Sequence, residues 1–346
     1  MTDTPTTERE HGRHEQPDPT AGSGSRRRTA VLVLGVLLVQ LGFVASYVGA
    51  FHSPTPRRVT VAVVAPAGAP AGTAEQLVSR LDALQGHPLQ ATVVANEAGA
   101  RARIADRTVH GALLLGAQQD TLLVAGGGGV SVSTALQAEI TGVDAAQQRP
   151  LTTQDVVPVS AQDNRGLTGF YLAVGWVVGG YLLATALALV GGRLGLRATA
   201  QRLGLLAGYA VVSGIGGAFI VEHVLGAPGG PFWALAGLGA LVVLATSAFT
   251  TAAQALLGFL GVGLVIVLFV VLGNPSAGGA YGSPLLPPLW SAIGPWLAPG
   301  AATEGIRSLV YFGGTGVGEP LAVLAAYLVV GVALSLGVGA ARTHRA

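Results

Sequence analysis

Residues 272–314 read LGNPSAGGAYGSPLLPPLWSAIGPWLAPGAATEGIRSLVYFGG, and the reading of this stretch decides the fold. Gly and Pro recur every few residues, so no single helix can run through it. Between them stand Leu285, Leu286, Leu289, Trp290, Ile293, Trp296 and Leu297, a set too apolar to be left in water. Long apolar runs flank the stretch on both sides. A segment both broken and apolar at that place is a re-entrant or interfacial element packed against protein, or else a connector lying on the bilayer surface. Its two Trp suit the headgroup level, where an amphipathic ring is favoured.

The rest of the composition agrees with a bilayer setting. Of 346 residues, 51% are hydrophobic and only 10% charged, with 52 Gly, and the mean hydropathy is +0.58. A soluble domain carries about a quarter charged residues. With no Cys there is no disulfide framework, thiolate metal site or cysteine nucleophile. The formal net charge of +2 does not point to a nucleic-acid partner.

Outward from the stretch, the chain divides by hydropathy. Residues 1–28 read as a disordered cytoplasmic tail with no apolar period, in which His11 and His14 are solvated. Arg26, Arg27 and Arg28 abut the uncharged run 29–51, which is long enough to cross about 30 Å of hydrocarbon as a retained anchor. Residues 52–166 are the water-soluble part. Strand-like runs at Val59–Ala65, Leu89–Ala95, Gly111–Leu115 and Thr121–Ala125 alternate with helical patterns at Thr73–Leu84, Asn96–Arg107 and around Leu136, Ile140 and Val143. Thr73 is the expected N-cap of the first, and the alternation predicts a small α/β domain. The run Gly126–Gly129 lacks the Lys of a phosphate loop and reads as a tight turn.

Five more spans follow, at 167–190, 203–225, 232–249, 255–272 and 321–339, with residues 342–346 as a cytoplasmic end. Gly175 and Gly179 have the spacing that lets membrane helices approach closely. A small polar turn is expected at Thr250–Gln254 and a tight one at Pro228–Pro231. Arg193, Arg197 and Arg202 in one loop, with Arg342 and Arg345 at the end, put both termini on the cytoplasmic side. The predicted fold is therefore a polytopic α-helical membrane protein. It has six transmembrane helices, an extracytoplasmic α/β domain between the first and second, and the re-entrant or interfacial segment 273–314 before the sixth.

Few side chains are placed for chemistry. Glu222 and His223 stand near the end of the third span, where ionisable groups are costly, and are candidates for a substrate or proton pathway. Glu304 and Arg307 lie i, i+3 on an expected short helix, Ala301–Phe312, and can pair, with Tyr311 and Phe312 dipping toward the membrane. No nucleophile elbow, zinc-protease motif or nucleotide-binding domain is present, so we expect neither an enzyme nor a resident metal or cofactor.

This order of parts resembles the ABC-2-type exporter permeases, and is closest to the bacterial YhgE/Pip (phage infection protein)-like membrane proteins. The residues that carry the resemblance are Leu272-Gly-Asn-Pro-Ser-Ala-Gly-Gly279, Leu286-Pro287, Trp290, Pro299-Gly300 and Gly305-Ile-Arg307 through Tyr311-Phe-Gly313. The resemblance implies a plasma-membrane permease subunit exporting a hydrophobic or amphiphilic substrate, powered by a separate cytoplasmic ATPase. It implies a homodimer, or a heterodimer with a second permease, surrounded by membrane lipids. Asn274, Pro275, Gly278, Gly279, Pro287, Trp290, Pro299, Glu304 and Arg307 would form an outer gate. Arg193, Leu194, Arg197 and Arg202 would form the ATPase-docking loop. The alternative is a surface receptor or scaffold that transports nothing and binds a partner through its outer domain.

Overall fold

The computed structural model describes residues 21–191, 194–227 and 230–344. Expectations for the tail before residue 21, for Arg193, for the turn at 228–229 and for Arg345 fall outside them. The chain divides into two units, Met1–Gly42 and Phe43–Ala346. The first holds the leading part of α1 (Ala21–Phe51), with exposed apolar side chains such as Val31, Leu34, Leu38 and Leu41. Apart from the span Thr29–Phe51, which belongs to both, everything below belongs to the second.

An α/β lobe is built from β1 (Val59–Val64), α2 (Thr73–Asp82), β2 (Leu89–Val93), α3 (Glu97–Ala105), β3 (Gly111–Leu114), β4 (Asp120–Val124), α4 (Val130–Ala146) and β5 (Leu151–Asp155). The sheet order is β2-β1-β3-β4-β5, parallel throughout except for the antiparallel pair β3–β4. Strand alternation explains the layering. Val59, Val61 and Val63 of β1 share a core with Leu81 of α2 and with Leu136 and Ile140 of α4. Ala62 and Val64 point to the opposite face, against Ala100 and Ile104 of α3.

The helix ends follow local chemistry, with two departures from expectation. The Asn96 side chain caps α3 by accepting the Gly99 N–H at 2.9 Å. Thr73 is not the cap of α2: Gly72, at φ 86°, takes that position, and the Thr73 hydroxyl donates to the Pro70 carbonyl at 2.7 Å. Helix α3 also stops at Ala105, leaving Arg107 beyond its end at φ 62°. That left-handed position usually belongs to Gly, and a side chain there costs about 1–2 kcal/mol.

The remaining helices are α5 (Thr168–Gly191), α6 (Leu196–Phe219), α7 (Phe232–Leu257), α8 (Phe259–Val265), α9 (Asn274–Ser276), α10 (Pro288–Ile293), α11 (Ala298–Tyr311) and α12 (Gly318–Thr343). A π-helical turn, Ile220–Val224, extends α6, and another, Ile266–Gly273, joins α8 to α9. Among the described residues, six helices are long and apolar enough to cross a membrane: Thr29–Phe51, Thr168–Gly191, Leu196–Val224, Phe232–Leu257, Phe259–Ser276 and Gly318–Thr343.

Helix α7 is the hub, the most deeply buried of these, with α5, α6 and α12 packed around it. Glycines make the crossings close. A Cβ on Gly214 of α6 would lie 2.3 Å from the Ala236 carbonyl oxygen, and one on Gly331 of α12 would lie 2.5 Å from the Ala248 carbonyl carbon. On α5 the close contact with α7 is made by Gly180, beside Thr246, while Gly179 faces the Tyr209 hydroxyl of α6 and Gly175 faces open space.

Several boundaries differ from those read by hydropathy. No turn forms at Thr250–Gln254, because α7 continues to Leu257 and the chain reverses at Gly258, φ 59°. The hydroxyls of Thr250 and Thr251 donate to the carbonyls of Thr246 and Ser247, four residues back. Polar side chains that bond their own helix can be buried without ending it. Likewise α6 begins at Leu196, so Arg197 and Arg202 stand on a helix and not in a loop.

Candidate functional site

Segment 273–314 is neither one helix nor an open loop. It folds as α9, α10 and α11 joined by short 3₁₀ turns, and α11 is buried along Ala298–Thr303 and at Gly305, Ile306 and Ser308. Pro299 sits in the first turn of α11, where its missing N–H is harmless. This helix packs against α5, α7 and α12. Trp290 anchors α10 to α1: its indole N–H donates to Ser46 Oγ at 3.1 Å, and its ring lies where a Cβ on Gly49 would stand. The expected helix Ala301–Phe312 is thus longer at its start and one residue shorter at its end. Tyr311 and Phe312 do not dip toward the bundle. Tyr311 packs on Gly127 and Phe312 lies below Arg107, both against the lobe.

A cavity of about 240 Å³ lies between the lobe and this segment. Glu304 and Arg307, one turn apart on α11, reach it from one side, and Arg107 and His110 reach it from the lobe. Glu304 is shared. Its Oε2 accepts from Arg307 Nη1 at 2.7 Å, while Oε1 pairs with the guanidinium of Arg107. Arg307 also donates to the Gly278 carbonyl at 2.9 Å, across the turn that Gly278 makes at φ 73°. Arg107 donates to Ser308 Oγ and lies 4.8 Å above the Phe312 ring. Three charged side chains, two from one turn of α11 and one from the distant lobe, therefore form one bridge.

The electrostatics follow from burial. Burial, and then the neighbouring charge of Arg307, bring Arg107 down to about 10, so it stays protonated near neutral pH. His110 is pushed down to about 4 by burial and then by the two arginines. Its Nδ1 faces the Thr60 hydroxyl at 2.7 Å and accepts the Thr60 N–H at 3.3 Å, which requires that nitrogen to be unprotonated. With His110 neutral, two guanidiniums and one carboxylate leave the cavity with a net charge of +1. The remaining lining mixes apolar side chains, including Ile104, Val109, Val132 and Phe312, with the hydroxyls of Ser133, Ser276 and Ser283. Such a site holds and orients groups. Among the described residues no three His, Cys, Asp or Glu side chains converge on a metal position.

Of the residues singled out by sequence, Gly278, Glu304 and Arg307 line this cavity. Asn274, Pro275 and Gly279 belong to its supporting turn, where Gly279 leaves room for Phe170. Pro287 precedes α10. Glu222 and His223 lie apart from it, in the π-helical turn. His223 is exposed and stacked on Phe219 at 5.0 Å, while one carboxylate oxygen of Glu222 is buried without a partner. Leu194, Arg197 and Arg202 are at the opposite end of the bundle, with Arg197 exposed and Arg202 turned in to the Leu187 carbonyl at 2.8 Å. Arg107 and His110 were missed. No linear signal marks Arg107, because the helical pattern read from the sequence runs on through it, whereas α3 ends at Ala105.

Six long apolar helices mark a multi-pass helical membrane protein, with a half-buried polar bridge between its lobe and segment 273–314. Compared with known proteins, the chain matches no family model and no curated protein.

Proposed function

We propose that this chain is an ABC-2-type permease subunit of the plasma membrane, exporting a hydrophobic or amphiphilic substrate with energy from a separate cytoplasmic ATPase. The observation that carries the reading is the bridge Arg107–Glu304–Arg307. A broken segment wedged among α5, α7 and α12 is tied by charge to the lobe, so movement of the spans would be felt by the lobe. Arginines at 26–28, 193–202 and 342–345 favour cytoplasmic termini, with the lobe outside. In the proposed cycle, ATP binding on the partner rocks the spans of a dimer, and segment 273–314 opens or closes the exit. Glu304 and Arg307 act as the hinge contact with the lobe. Purification from native membranes tests this. A stoichiometric ATPase subunit supports it, whereas its repeated absence refutes it.

The second reading is a receptor or scaffold of the YhgE/Pip type, and one observation favours it. With α6 starting at Leu196, the expected docking loop is reduced to a few residues around Leu194 and Gly195, a small platform for an ATPase. ATP-independent binding of a partner to the lobe, without any ATPase, is the outcome expected under that reading.

A further inference from the structure

At the end of the bundle away from the lobe lies a second and larger cavity of about 740 Å³. The C-terminal ends of α5, α7 and α12 converge there with the start of α6 and the turn at Gly258. Among the described residues two guanidiniums line it, Arg202 and Arg342, no carboxylate does, and neither guanidinium forms an ion pair. Each spends a donor on a helix end, Arg202 on the Leu187 carbonyl at 2.8 Å and Arg342 on the Ala255 carbonyl at 2.7 Å. A guanidinium has five N–H donors, so most of the capacity of both remains.

A second observation points to a ligand. Ser335 is 1% exposed and lines the cavity, yet its hydroxyl has no hydrogen-bond partner. The side-chain oxygen of Gln254, whose amide donates to Thr185 at 3.0 Å, is likewise buried and unpartnered. Buried polar atoms in native proteins are almost always satisfied, so two orphans in one cationic cavity indicate a polar guest. The rim is of the other character, with Leu189, Leu256 and Phe259 all exposed and apolar.

We propose that this cavity binds the phosphate-bearing head of an anionic amphiphile. Arg202 and Arg342 pair with the phosphate, the Ser335 hydroxyl donates to it, and Gln254 Oε1 accepts from a head-group hydroxyl. The acyl chains leave over the leucine and phenylalanine rim. Guanidiniums suit phosphate because their donors form a planar fork that contacts two oxygens at once. The site would serve a receptor as well as a permease, since nothing in it depends on transport.

The test uses the purified full chain in detergent, with binding read by native mass spectrometry and by thermal shift. Three probes are compared: dioleoyl phosphatidylglycerol, dioleoyl phosphatidylcholine and inorganic phosphate. The expected result is phosphatidylglycerol binding at least about tenfold tighter than phosphatidylcholine, with the preference lost in Arg202→Gln/Arg342→Gln. Because those substitutions also remove carbonyl partners, Ser335→Ala is the companion variant. It breaks no bond in the free protein and should weaken phosphatidylglycerol about two- to tenfold with an unchanged melting midpoint. Binding of inorganic phosphate alongside phosphatidylglycerol supports the anion site and assigns the affinity to the phosphate. Phosphatidylglycerol without inorganic phosphate supports it and assigns the affinity to the whole lipid. Equal binding of the two lipids, or a preference that survives both variants, overturns the proposal.

Discussion

Replacing Glu304 by Gln should destabilise the protein more than replacing Arg107 by Gln, because of how charge is distributed in the bridge. The native bridge has two guanidiniums and one carboxylate. Glu304→Gln keeps the volume but leaves two like charges together, on side chains only 21% (Arg107) and 12% (Arg307) exposed. Removing one partner from a buried ion pair costs about 3–5 kcal/mol, and with Glu304 itself 35% exposed we expect about 2–3. Arg107→Gln instead leaves the neutral pair Glu304–Arg307, losing the contact to Ser308 and the cation over Phe312, about 1 kcal/mol in all. The double variant retains one uncompensated guanidinium and should fall between the two. Its coupling energy is then about 1–2 kcal/mol, with the second substitution partly rescuing the first. Thermal unfolding in detergent gives the stabilities, and limited proteolysis between lobe and bundle shows where the loss is felt. Equal effects of the two single substitutions, simply additive in the double, would refute the shared-carboxylate bridge.

Further outcomes follow from the same geometry. Arg107→Gly should relieve about 1 kcal/mol of left-handed backbone strain while deleting the lobe's half of the bridge, as Arg107→Ala also does, so its stability should exceed that of Arg107→Ala; if the two melt together, φ 62° costs nothing at that position. For His110, the unfolded chain takes up a proton near pH 6.5 but the folded chain only near 4. Its contribution is therefore complete above about 6.5 and is lost as pH falls toward 4, about 3 kcal/mol in all. His110→Asn should flatten that acid limb in a melting-versus-pH series. Asp144 behaves oppositely: burial and then the charge of Asp120 raise it to about 6, against the lowering pull of Arg149. Its stabilisation is present below 3.8 and lost as pH rises through 6, so Asp144→Asn should raise the melting midpoint at pH 7.5 and not at pH 4. Gly214→Ala, which drives a methyl into the Ala236 carbonyl, should destabilise the bundle. Gly216→Ala on the same helix meets nothing within 4 Å and should gain up to about 1 kcal/mol; similar effects from both would refute the tight α6–α7 crossing.

The sequence made some of these features legible and hid others for definable reasons. Apolar length is a local property, and so the six long apolar helices could be read directly, as could the alternating strands of β1 and β3. Their ends were less readable. Thr250, Thr251 and Gln254 look like a turn by polarity, but their side chains donate to backbone carbonyls four residues back and to the Thr185 hydroxyl, so the helix continues. Gly175 and Gly179 have the spacing of a packing motif, yet the spacing does not say which face meets α7. Gly180, one residue on, does.

The bridge shows the same limit most clearly. Glu304 and Arg307 are neighbours in sequence and their pairing could be foreseen from helical spacing. Arg107 lies about two hundred residues away, and nothing local distinguishes it from Arg101 or Arg103 on the same helix. What distinguishes it is the termination of α3 two residues earlier, at Ala105, which turns Arg107 out of the helix and toward Glu304. A non-glycine residue held in a left-handed conformation persists only where the surroundings over-determine it. Here they do, through Glu304, Ser308 and Phe312, all from one helix end in the broken segment. The strain on the lobe and the burial of charge on α11 are thus two halves of one contact. A change that loosens either half should release the other.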